Sequence, residues 1–374
     1  MITFVKGIYA DQINRVCKML EKLKTFPINP ELDESFFGKT LKLLEELHED
    51  IDEVISSGDL DIEELSSLHI IRYNTFHERL IEIELFRYLV IKNFDGPEIY
   101  FKHKIARIYK EINCFQRPPI ITTISDSETY YWALPAYDII AVPTGEEQNL
   151  LNLPDLYHEI GHLIFNEYEK YLKGDIETVI NLYYQAEIRS VGQEQRDPGL
   201  IPFYKDKTSR WINSWIMEFI CDFIATYLTG PAYAWTNLKI ATLSSGKEQV
   251  YAESQSHPSD ESRMRGIFYM LKLQGYQDDV IAIEKSWKLF LDFTDNPVPN
   301  NYAFIFPEPI LESLAKNVIA CCKATGLRSY EEQKAVYAAP ISKILNEAWR
   351  EAVTNPANYK KWEEEKIQEI KNAI

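Results

Sequence analysis

The run Leu156-Tyr157-His158-Glu159-Ile160-Gly161-His162-Leu163-Ile164-Phe165 places two histidines four residues apart, with a glutamate beside the first. On an α-helix, positions i and i+4 share a face, so both imidazoles can reach one metal ion from the same side. Glu159 then lies where its carboxylate can hold a water on that ion. This is the arrangement of a zinc hydrolase, in which the metal acidifies the water and polarises a carbonyl while the glutamate takes the proton. The flanks are strongly apolar, so the helix is expected to be largely buried. Buried ionisable groups are costly without partners, which argues against chance histidines on a surface helix.

Such a site needs a third protein ligand and an open position. The sequence predicts an apolar helix over 211–228, and Glu218 and Asp222 are the acidic residues within it. Four residues apart, they share a face. Glu218 is the candidate third ligand beside His158 and His162. Asp222, one turn on, can accept a hydrogen bond from the outer nitrogen of a ligating histidine, fixing its tautomer. Cys221 is a rival that points away from that face.

H-E-x-x-H followed downstream by E-x-x-x-D resembles the gluzincin pattern of thermolysin-like peptidases. Ser256-His257-Pro258-Ser259-Asp260-Glu261-Ser262-Arg263 is similar to the His-Pro…Arg segment of the prenyl-protein and heat-shock membrane gluzincins. The resemblance covers roughly residues 130 to 270. It implies that His257 helps hold a tetrahedral oxyanion and that Arg263 pairs with a carboxylate near the site. On physical grounds, His257 is also a donor at the head of a predicted helix; the alternative is a capping or surface histidine. The membrane spans of that group are missing, as is the Gly-x-Met-x-Asn signature that reads a free amino terminus.

The rest of the chain sets the context. It has 374 residues, 45% hydrophobic and 26% charged, an ordinary globular composition. A net charge of −17 argues against nucleic acid or an anionic membrane as partner. Cys17, Cys114, Cys221, Cys321 and Cys322 are odd in number and irregular in spacing, as expected of reduced thiols in a cytoplasmic protein. No signal peptide is evident, and no run of about 18 apolar residues occurs.

Residues 1–115 are expected to be helical, with breaks at Ser56-Ser57-Gly58 and Asp95-Gly96-Pro97. His48, His69, His77 and His103 lack ligand spacing there and are taken as structural or solvent-facing. After Arg117-Pro118-Pro119, three short β-branched and aromatic runs, 120–124, 130–134 and 137–142, predict strands, separated by Ser125-Asp126-Ser127 and Pro135-Ala136. The last precedes the H-E-x-x-H helix and is the candidate for pairing with an extended substrate. That helix is expected to start near Asn152–Asp155, with Asp155 as an acidic residue at its positive end. Segment 191–207 is expected to be loop, as is 296–309; 240–250 is ambiguous.

The expected fold is α+β, mainly α: a zincin-like catalytic core with a small antiparallel or mixed sheet at 116–295, between helical regions at 1–115 and 296–374. The expected activity is that of a soluble zinc-dependent metallopeptidase acting on peptide or protein substrates, with Zn²⁺ on His158, His162 and Glu218 and Glu159 as base. The alternatives are an inactive zincin-fold binding module and a metallohydrolase of small amides.

Overall fold

The computed structural model describes residues 2–125, 130–143, 145–194, 196–244 and 250–373. Its contacts divide the chain into two units, Met1–Ile99 and Tyr100–Ile374. The first unit is helical: α1 (Ile2–Thr25), α2 (Glu34–Ser56), α3 (Ser66–Ile83), a π turn at Glu84–Tyr88 and α4 (Leu89–Asn93). Asp33 caps α2 by accepting from the Ser35 amide at 2.7 Å, and Leu44, Leu47, Ile51 and Val54 form its buried stripe.

Helix α5 (Gly96–Glu111) leads into the second unit. The division falls before residue 115 because Phe101, Ile105, Ile108 and Tyr109 belong to the core that also holds the H-E-x-x-H helix. The C-terminal helices join that core through residues such as Leu314, Leu345 and Ile370, so 296–374 forms no separate body.

The sheet has three strands in the order β1-β3-β2, where β1 is Ile120–Ser125, β2 Trp132–Leu134 and β3 Ile139–Pro143. β1 runs parallel to β3, and β2 antiparallel to it. Every residue of β3 is buried, as its unbroken apolar run requires of a central strand. It begins two residues later than expected. Pro135–Tyr137 forms a 3-10 turn, and Asp138 adopts a left-handed conformation with φ 56°. The expected separator at Asp126-Ser127 lies outside the described residues, as do residues 245–249 of the ambiguous stretch.

After the sheet come α6 (Leu153–Lys173), α7 (Ile176–Gln193), α8 (Leu200–Arg210), a π turn at Trp211–Trp215 and α9 (Ile216–Thr229). Then follow α10 (Pro231–Ser244), α11 (Asp260–Leu273), α12 (Gln277–Thr294), α13 (Tyr302–Ile305), α14 (Glu308–Ala324), α15 (Tyr330–Val336), α16 (Ile341–Thr354) and α17 (Pro356–Asn372). Helix α9 is the spine of the unit, buried from Glu218 to Thr229 and packed by α6, α10, α11, α14 and α16. It stops at Gly230, whose positive φ of 61° suits glycine, and Pro231 opens the next helix.

One expected loop, 191–207, is largely helical, and the other, 296–309, is mostly loop as expected, with a short helical part. Within 191–207, α7 continues to Gln193 and α8 begins at Leu200. The stripe there includes Lys207, which is buried because its ammonium meets Glu253 at 2.6 Å. A lysine counted as polar hides that periodicity. Within 296–309, Tyr302–Ile305 forms one helical turn and α14 starts at Glu308. No described helix is long and apolar enough to cross a membrane.

Candidate metal centre

The site forms where α6 crosses α9. A Cβ added to Gly161 would lie 3.0 Å from the Cys221 Cα and 3.2 Å from its carbonyl oxygen. Glycine at the fourth position of H-E-x-x-H therefore lets the two helix backbones touch, which brings α6 histidines to α9 carboxylates. Cys221 is spent on this crossing and is fully buried, away from the ligand set.

His158 Nε2 is 3.6 Å from Glu218 Oε2, and His162 Nε2 is 3.9 Å from Glu218 Oε1. The three ligand atoms lie within 4.8 Å of one another, the metal-capable group found among the described residues. Bonds of roughly 2.0–2.1 Å in a tetrahedron put ligand atoms about 3.3 Å apart, so the set would have to draw in by up to about 1.5 Å between ligand atoms to close on a divalent cation. Two imidazoles and a carboxylate, each at least partly withdrawn from water, are also the donor chemistry such an ion takes.

Behind the histidines lies a chain of hydrogen bonds. Asp222 is fully buried, and its Oδ1 is 2.9 Å from His158 Nδ1. Arg263, from the first turns of α11, donates to Asp222 from Nε at 2.8 Å and from Nη2 at 2.6 Å. Tyr233, from the first turn of α10, donates to Asp222 at 2.5 Å and stands 3.1 Å from His158 Nδ1. Asp222 thus orients His158, as expected, and Arg263 is the cation that makes its burial tolerable. Tyr233 is the member the sequence does not announce. A tyrosine opening an apolar helix reads as core, and no spacing links it to the histidines.

The charges follow from this geometry in the metal-free protein. Burial alone would lower the His158 pKa, but hydrogen bonds donated to Asp222 and Glu218 outweigh it and raise the value well above normal. Burial, and then repulsion by His158, lowers His162 to about 4. Burial would raise Glu218, yet His158 and His162 bring it down to about 2. Burial pushes Glu159 up to about 8, because the attraction of His158 offsets it only in part. Asp155 is likewise raised by burial, to about 6.

His257 lies just ahead of α11, whose N-cap is Ser259, so it does not head the helix itself. Its Nε2 is 3.9 Å from Glu218 Oε2, and its side chain is 60% exposed. The strap that carries it is tied to the π turn: Trp215 Nε1 donates to the Ser254 carbonyl at 3.1 Å, and Ser214 Oγ to that of Gln255 at 2.7 Å.

His158, Glu159, His162, Glu218, His257 and Arg263 all border one cavity of about 310 Å³. Tyr130, Tyr131, Trp132 and Ala133 form another wall of it. This corrects the expected substrate strand. β3 is paired on both sides and cannot accept another partner, whereas β2, at the sheet edge, is the strand that meets the cavity. The expectation failed because β-branched content marks the most buried strand, not the edge.

Comparison of the chain with protein-family models, with curated proteins and with solved structures finds no match in any of the three.

Proposed function

We propose that the chain is a zinc-dependent metallopeptidase with the gluzincin-type ligand set His158, His162 and Glu218. The observation that carries this reading is the convergence of those three side chains, from two helices, on a cavity that also holds Glu159. Zinc in that set supplies Lewis acidity and brings the pKa of a water toward neutrality. Glu159 is the base: it takes a proton from the attacking water and delivers it to the leaving nitrogen. Asp222, Tyr233 and Arg263 hold His158 in one orientation. His257 donates to the developing oxyanion from the open side of the cavity. An extended peptide lies along β2, whose residues wall the site.

The test is digestion of an unstructured casein-type substrate, with and without chelator, by the wild type and Glu159→Gln. Chelator-sensitive cleavage lost in the variant is expected. Bound metal without any cleavage would favour a binding module, and turnover of small amides alone would favour an amidase.

A further inference from the structure

Asp155 is left over by the chemistry described so far. It sits in the first turn of α6, is 6% exposed, and borders the same cavity as His158 and Glu159. No hydrogen bond or ion pair joins its carboxylate to the described residues. The cations near it are engaged elsewhere: His158, which acts on it most, on Asp222 at 2.9 Å, Arg263 on Asp222 as well, and Lys239 on the Asn152 side chain at 2.5 Å. Glu146, the next acid along, is held by Tyr131 at 2.9 Å and by Asn152 at 3.1 Å. A helix N-terminus favours an anion, but offsets only part of what burying one costs.

Charge counting gives the same result. With a divalent cation bound, His158 would be neutral, the cation would offset Glu218 and Glu159, Arg263 would offset Asp222, and Asp155 would have no counterpart. Lying three residues before His158 and four before Glu159, it shares their helix face. A positive group bound there would belong to a residue close to the bond being cut.

We propose that Asp155 is a specificity residue that binds a protonated primary amine of the substrate beside the scissile bond. The amine is a lysine side chain or a free amino terminus; both present the same ammonium to the carboxylate. This rests on the peptidase reading for its substrate class, but not for its chemistry.

The test is therefore equilibrium binding. Fluorescent peptides are titrated into Glu159→Gln protein, which retains the cavity but lacks the base. One acetylated sequence carries lysine at each central position in turn, a second carries norleucine instead, and a third carries norleucine with a free amino terminus. At least one charged probe should bind tenfold or more tighter than its neutral counterpart. Asp155→Asn in the same background should erase that preference, while neutral binding stays within about twofold and metal content is unchanged. Preference for the lysine or the free-terminus probe identifies the source of the amine. Equal binding of charged and neutral probes, a uniform loss on Asp155→Asn, or no binding of any probe overturns the proposal. Should Asp155→Asn fail to fold, the lysine-to-norleucine comparison still decides. Charge-dependent binding by a wild type that cuts no peptide would sink the peptidase reading and leave the amine site standing. Cleavage indifferent to charge would do the reverse.

Discussion

Replacing Arg263 by glutamine strips a fully buried carboxylate of its counter-ion. In the wild type, two charge-assisted bonds, at 2.8 and 2.6 Å, join the guanidinium to Asp222, and the Arg263 side chain is only 16% exposed. An exposed ion pair contributes about 0–1 kcal/mol, but breaking a buried one by removing a single partner costs about 3–5 kcal/mol. We expect the upper range, since only Tyr233 and His158 remain to Asp222. The assay is urea unfolding of chelator-treated protein followed by tryptophan fluorescence. All seven tryptophans lie beyond residue 100, so the signal reports the site-bearing unit alone. With a slope near ~3 kcal/mol/M, the midpoint should fall by about 1 M or more. The pH dependence has a definite sign. Burial would raise the Asp222 pKa, but Arg263 outweighs it and holds the value well below 3.8. The associated stability is present above 3.8 and is lost as pH falls through the lower folded value. The gap between wild type and variant should therefore be full at pH 7 and shrink on acidification below pH ~4. A loss under about 1 kcal/mol, or the same loss when Arg263→Gln is made in an Asp222→Asn background, would refute the reasoning.

Glu218→Ala should lower zinc content while leaving the far-ultraviolet circular dichroism unchanged; a full complement of zinc would show that another group is the third ligand. His257→Ala should reduce turnover on the order of tenfold or more with metal content retained, as expected for a partly exposed oxyanion donor, and an unchanged rate removes it from the mechanism. Metal loading at pH 7 should release about one to two protons, because His158 and Glu159 are both raised in the metal-free protein and a cation displaces their protons. Calorimetry in buffers of different ionisation enthalpy measures this, affinity should rise between pH 6 and 8, and zero release would show that the site is deprotonated beforehand.

The most polar residues of the most apolar helices were the easiest to read. His158, His162, Glu218 and Asp222 stand out because their neighbours leave no water to solvate them, and Arg263 follows from a motif. The geometry that joins them was not legible. Tyr233 and the strap contacts depend on tertiary packing between segments far apart in sequence. Helix α8 was hidden by a single buried lysine, and β2 was legible as a strand but not as the edge that meets the cavity. Asp155 was legible as an acid at a helix start but not as a carboxylate sealed against a cavity, since burial is decided by the strand and helices that close around it.

The contact between Gly161 and Cys221 sets a spacing as well as a shape. Because His158 and His162 on α6 face Glu218 on α9 across that contact, the bite of the proposed centre would be governed by how far apart two rigid rods lie. Widening the gap by a single methyl group would enlarge the hole for the ion without altering any donor. In the proposed centre, selectivity between a small four-coordinate ion and a larger one would therefore be set by a residue that touches neither.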